Sequence, residues 1–221
     1  MSGLLHRAIW WAEDYAYAVL WQLRAFGDRN RSERYRGGTG VPIVVLPGIY
    51  ESWRFMRPLI EHAHRDGHPV HVVEPLERNL SPISEMADRV SAYLAEHDLH
   101  DVVLLAHSKG GLAGKLVMLG PEGSRVRGML AVATPFGGSR YARLMLTRSL
   151  RALSPRDPSI AALAAQRDAD ARIVSVYARF DPHIPEGSEL PGARNVRLDT
   201  GGHFRVLAHP RVMAELAVLA G

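Results

Sequence analysis

A chain of 221 residues is long enough for one domain with a sizeable core, and its 47% apolar and 23% charged residues are ordinary for a globular protein. With no cysteine, disulfides, zinc–thiolate sites and cysteine nucleophiles are excluded. The net charge of +4 is carried almost wholly by arginine, with lysine only at Lys109 and Lys115, and no element outside residues 136–167 interleaves clustered basic residues with aromatics as a nucleic-acid surface would.

Residues 4–26 predict a helix. Leu5, Ile9, Ala12, Ala16, Val19 and Leu23 recur at three- and four-residue steps, and Trp10, Trp11, Tyr15, Tyr17, Trp21 and Phe26 broaden that face. The expectation is a helix packed on the domain or on a partner subunit. The alternative is an interfacial membrane anchor, with Arg7 and Arg24 among the headgroups. Glu13 and Asp14 break the apolar stretch, so it does not read as a signal peptide. No apolar run reaches the length of a spanning helix. The default compartment is the cytoplasm, with membrane contact through this helix or a basic cap as the variant. Asp28 to Gly40 is polar and glycine-containing and reads as a linker, which sets residues 1–40 apart from a domain over 41–221.

Strands and helices then alternate. Strands are expected at Val41–Leu46, Pro69–Val73 (ending in Glu74-Pro75), Asp101–Ala106, Val126–Ala133, Ile173–Tyr177 and Asn195–Leu198. Helices are expected at Trp53–His64, Ser84–Glu96, Gly110–Leu119 and Pro210–Leu219. This pattern predicts an α/β fold: a mostly parallel sheet of about six strands with helices on both faces. Ligands of such sheets bind beyond the carboxyl ends of the strands. Residues 136–167 are longer than one crossover requires. They hold Arg140, Arg143, Arg148, Arg151 and Arg156 and an apolar set that includes Tyr141, Leu144 and Met145. That composition suits a short helical cap; a plain crossover helix with a solvated face is the alternative.

The chemistry centres on Ala106-His107-Ser108-Lys109-Gly110. An apolar strand stops at Ser108 and a glycine-rich helix begins, so the serine is held on a sharp turn with its hydroxyl pushed out of the sheet. Only the first position departs from G-x-S-x-G, and alanine is the mildest replacement for glycine. A serine nucleophile needs a base, and the base an orienting acid. Asp181 and His203 follow in the order Ser, Asp, His, each just after a predicted strand. Asp157 and Asp199 compete for the acid, but one lies in the cap and the other on the last strand. His183 shares a loop with Asp181. His107 should point into the packing of the turn. His62, His64, His68 and His71 share no single face.

These motifs resemble the α/β-hydrolase family, and more narrowly its small bacterial lipases and esterases, from Val41 to the C-terminus. The first helix lies outside the resemblance. Tyr177 to Pro185 resembles the acid loop, Gly202-His203 the histidine loop, and Thr134 to Ser139 the run that leads into the lid. The resemblance implies Ser108 as nucleophile, His203 as base and Asp181 as its orienting acid. The oxyanion would be held by the backbone N–H groups of Ile49 and Lys109. Pro47 stands where the family usually has histidine. Tyr50, Phe136, Tyr141, Leu144 and Met145 would line a pocket for an acyl chain. The implied activity is hydrolysis of carboxylic esters of small molecules or lipids, with neither cofactor nor metal. A thioesterase or acyltransferase using the same triad is the alternative, and a non-catalytic membrane-associated scaffold a more distant one. The Lys109 side chain either reaches solvent or draws an anionic group to the pocket mouth.

Overall fold

In a computed structural model, which describes residues 2–27, 31–73 and 79–221, six strands form one wholly parallel sheet: β1 (Ile43–Leu46), β2 (Val70–Val72), β3 (Val102–His107), β4 (Val126–Val132), β5 (Ile173–Phe180) and β6 (Arg194–Gly201). The order is β2-β1-β3-β4-β5-β6. β1, β3 and most of β4 are buried throughout, as strands covered on both faces must be. The chain reverses its direction of travel across the sheet between β1 and β3. Their carboxyl ends therefore flank a crevice, and Ser108 follows β3 directly.

Two apolar clusters fill the two sides of the sheet. One holds α3 (Ile83–Glu96) and α4 (Lys109–Leu119) against Val44, Leu104 and Met129. The other holds α2 (Arg57–Arg65) and α7 (Pro210–Ala220) against Val45, Leu105 and Leu130. A 3-10 turn over Trp53–Met56 precedes α2, with Pro58 in the first turn of the helix, where its missing N–H costs nothing.

Several expectations need adjusting. β6 is longer than its short apolar core suggested, because an edge strand tolerates the polar residues on either side of Leu198. The turn expected at Glu74-Pro75 lies outside the described residues. The stretch read as a linker contains a 3-10 turn, Ser32–Tyr35, and Tyr35 is buried edge-on to Trp53 and His64. Residues 136–167 divide in two. The rear part, α6 (Pro158–Ala165), buries Ile160 and Leu163 in the core as a crossover helix. The front part is a 3-10 turn, Arg140–Leu144, and the single turn α5 (Arg148–Arg151), which lie over the end of the sheet.

The first helix, α1 (Ser2–Gly27), packs on the body by only the aromatic part of the expected face. Leu5, Ile9, Ala12, Ala16, Val19 and Leu23 are all exposed, while Asp14 is fully buried and Trp10, Tyr17, Ala18 and Trp21 turn inward. The cause is polar. Asp14 Oδ1 accepts the backbone N–H groups of Phe204 and Arg205, each at 2.8 Å, and this fixes the helix's rotation. Among the described residues no helix is long and apolar enough to cross a membrane.

Both lysines are buried. Lys115 on α4 pairs with Asp170 at 2.7 Å, just before β5. Glycine is required at two places in the turn after β3. A Cβ on Gly110 would lie 2.1 Å from the Leu46 carbonyl oxygen, and one on Gly111 would lie 2.0 Å from Thr134 Oγ1. Gly110→Ala must push β1 and α4 apart at backbone level. Its expected cost is about 3 kcal/mol, read as a lowered midpoint in urea unfolding.

Candidate active site

Ser108 sits at φ 50°, ψ −122°, a conformation that a non-glycine residue adopts only when its surroundings impose it. Its N–H donates to the Val132 carbonyl at 2.8 Å, and its own carbonyl accepts from Gly111 N–H at 3.1 Å. These bonds hold the turn and aim Oγ away from the sheet.

His203 Nε2 lies 3.0 Å from Ser108 Oγ, and His203 Nδ1 lies 2.8 Å from Asp181 Oδ2. All three residues are buried. The other oxygen of Asp181 accepts the N–H groups of His183 (2.7 Å) and Ile184 (3.0 Å), which locks the carboxylate. With Asp181 accepting at Nδ1, that nitrogen carries the proton and Nε2 is free to take the serine's. Burial disfavours charge on His203, but the attraction and hydrogen bond of Asp181, with help from Glu51 and Asp14, outweigh it and raise the imidazole above its usual value. Burial would likewise raise Asp181, but His203 and the His183 amide bring it below the usual carboxylate range. Were His203 to act as a base, it would have to be neutral. The acid limb of kcat/KM is therefore expected to have its midpoint above the ~6.5 of an ordinary histidine, which a pH–rate profile reads directly.

The competing residues lie elsewhere. Asp199 is exposed and pairs with Arg179. Asp157 caps α6 by accepting from Ser159 N–H. His62 pairs with Asp66, His68 meets the Val41 carbonyl, and His71 meets Tyr93.

The loop after β1 and the loop bearing His203 are joined by a pair that sequence reasoning missed. Glu51 Oε2 accepts from Gly48 N–H at 2.8 Å and lies 2.8 Å from His107 Nδ1. The other nitrogen of His107 faces the His203 carbonyl at 3.0 Å. Through its two nitrogens His107 thus links the Glu51 carboxylate to the backbone of the histidine loop. His107 does point into the packing, as expected, but there it braces the histidine loop.

Lys109 neither reaches solvent nor sits at the pocket mouth. Its ammonium is buried and donates to the carbonyls of Asn79 (2.9 Å) and Ser81, and burial pushes its pKa down to about 8. Asn79 Nδ2 in turn donates to the Pro47 carbonyl at 2.7 Å. The loop over Pro47 and Gly48 is thus tied on one side by Glu51 and on the other by Asn79 with Lys109 behind it. The backbone N–H of Lys109 begins α4, where a helix offers its own amides no acceptor. Ile49 lies on the cavity wall beside Ser108.

That cavity, about 340 Å³, opens over Ser108 and His203. Tyr50, Tyr141 and Met145 line it as expected, along with Leu150, Leu153 and Ile184. Phe136 does not: it is buried in the core beneath the cap. Nor does Leu144, which is 80% exposed on the outer side of its 3-10 turn. Three wall residues come from α1, namely Tyr15, Ala18 and Gln22. Gln22 donates to the Tyr50 carbonyl at 3.0 Å, and the Tyr15 hydroxyl lies 3.3 Å from His183 Nε2. Burial lowers the His183 pKa to about 4, so the ring that meets Tyr15 is neutral. Across the mouth, Tyr50 OH donates to Thr147 Oγ1 at 3.1 Å.

No protein-family model and no curated protein matches the chain. Solved structures do. The mature form of the Bacillus licheniformis lipase BlEst2 is similar with a TM-score of 0.67 at 16% identity, over 82% of this chain and 93% of that one. The ydeN gene product of B. subtilis gives 0.60 at 19%, over 81% and 98%. MGS-MChE2, an α/β-hydrolase enzyme from a lagoon-sediment metagenome, gives 0.58 at 18%, over 82% and 90%.

Proposed function

We propose, from the α/β-hydrolase fold that this chain has, that it is a serine hydrolase cleaving carboxylic esters through an acyl-enzyme on Ser108. The observation that carries the reading is the unbroken line Ser108 Oγ, His203, Asp181 at the floor of a mainly apolar cavity. In the reading, Oγ attacks the ester carbonyl as His203 Nε2 takes its proton. The N–H groups of Ile49 and Lys109 hold the oxyanion. His203 then gives the proton to the departing alcohol, and the acyl group stays on Ser108. Water repeats the sequence: His203 takes its proton, the second tetrahedral intermediate collapses, and Ser108 and a carboxylic acid are released. Asp181 keeps the imidazole in one tautomer and stabilises it when charged. The wall of Met145, Leu150, Leu153 and Ile184 favours an acyl chain over a polar group.

A fluorophosphonate probe tests the reading together with a series of p-nitrophenyl esters. The expected results are one phosphonyl group on Ser108 by peptide mass spectrometry and hydrolysis that depends on chain length. Labelling elsewhere, or none, overturns it. Adding an alcohol acceptor to the ester assay separates hydrolysis from acyl transfer.

A further inference from the structure

The stripe that α1 leaves bare has an internal order. Leu5, Ile9, Ala12, Ala16, Val19 and Leu23 are spaced 4, 3, 4, 3 and 4 residues apart, the 3.5-residue period of a helix–helix seam. Their sizes are nearly symmetric about the middle, Leu-Ile-Ala from one end and Leu-Val-Ala from the other. The centre of that symmetry is level with Asp14, the residue that fixes the rotation of the helix. No charge lies on the stripe. Glu13 beside it pairs with Arg205.

We propose that two copies of this chain associate through α1 as an antiparallel, twofold-symmetric dimer. Such a pairing sets Leu5 against Leu23 of the second copy, Ile9 against Val19 and Ala12 against Ala16. The alanines at the centre let the backbones approach, and the larger residues close the ends. Leu5 and Leu23 are each 65% exposed in the single chain, and Val19 56%. With the flanking Leu20 and Tyr15, the stripe exposes roughly 700 Å² per copy, so covering most of it on both copies buries about 1,200 Å², the lower edge of the range for specific interfaces.

A lipid surface fits the same face less well. Its centre is alanine, which gains little from a bilayer, and Trp10, Tyr17 and Trp21 turn toward the body. The two arginines of α1 are held over aromatic rings, Arg7 over Phe180 and Arg24 over Trp21. Tyr15 both flanks the stripe and lines the cavity, so the dimer would fix the outer wall of the site.

Sedimentation velocity on the full chain at micromolar concentrations is expected to give the mass of two chains. Ala16→Glu, at a position exposed in the single chain, is expected to halve that mass while the far-UV circular dichroism stays that of the folded chain. Because the chain has no cysteine, orientation can be read directly. A mixture of Leu5→Cys and Leu23→Cys chains should form a mixed disulfide, whereas neither variant alone should, since like positions in the antiparallel pair stand roughly 27 Å apart. A single-chain mass at every concentration overturns the proposal. So does cross-linking of each variant with itself, which means a parallel pair, or sedimentation of single chains with anionic vesicles, which means the face meets lipid.

Discussion

Ser108→Ala is expected to lower kcat/KM for a short-chain ester by about four to six orders of magnitude while leaving the unfolding free energy within ~0.5 kcal/mol of wild type. The first half follows from chemistry, because a methyl group cannot be acylated. The second follows from the structure. The hydroxyl contacts His203, while the strained turn is held by the backbone bonds to Val132 and Gly111, which alanine keeps. Asp181→Asn is the sharper variant. The asparagine oxygen would stay on the amides of His183 and Ile184, so its NH₂ would face His203 Nδ1. That nitrogen would then have to accept, and the ring proton would move to Nε2, where it blocks proton transfer from Ser108. The expected loss is about 10⁴-fold with the fold retained, measured as kcat on the same ester. Full activity in either variant would remove Ser108 or Asp181 from the reaction.

The turn at Ser108 was legible because its constraints are local: a buried apolar strand, a residue forced to positive φ, and a glycine where a Cβ would strike Leu46. Asp181 and His203 were legible because parallel sheets place functional loops at strand ends, which reduces the search to a few positions. What was not legible rests on partners far apart in sequence. Glu51 meets His107 across 56 residues, and Asp14 meets Phe204 across 190. Each is one carboxylate among many until the fold is known. The first helix shows the limit most clearly. The sequence reads as one broad apolar face, aliphatic and aromatic together, and does not say which part of it packs. Aliphatic burial alone would choose the stripe, yet two amide bonds to one buried acid turn the helix the other way. Lys109 belongs to the same class: a charge beside Ser108 invites a substrate role, whereas its ammonium is used on two backbone carbonyls that brace the Asn79 loop.

Asp14→Ala is accordingly expected to damage a site from which it is absent as a chemical group. The mutation leaves the N–H groups of Phe204 and Arg205 without an acceptor, at about 1–3 kcal/mol for each amide that stays buried. These amides open the 3-10 turn Arg205–Ala208 directly after His203, so losing them loosens the loop that carries His203. Gly202 reinforces the point. It sits at φ +121°, and a Cβ there would come within 2.5 Å of Asp14 Oδ1, so the helix and the histidine loop are fitted to each other closely. The expected outcome is a kcat lowered about 10- to 100-fold, the scale on which misplaced catalytic groups act, with KM changed much less. Asp14→Asn separates positioning from charge. Its amide oxygen can accept both N–H groups and should restore most of kcat. Because the charge of Asp14 helps to raise His203, the same variant should also move the acid limb of kcat/KM to lower pH. If Asp14→Ala retains wild-type kcat, α1 is only a cover. If Asp14→Asn fails to rescue, the two amide bonds are not what holds His203 in place.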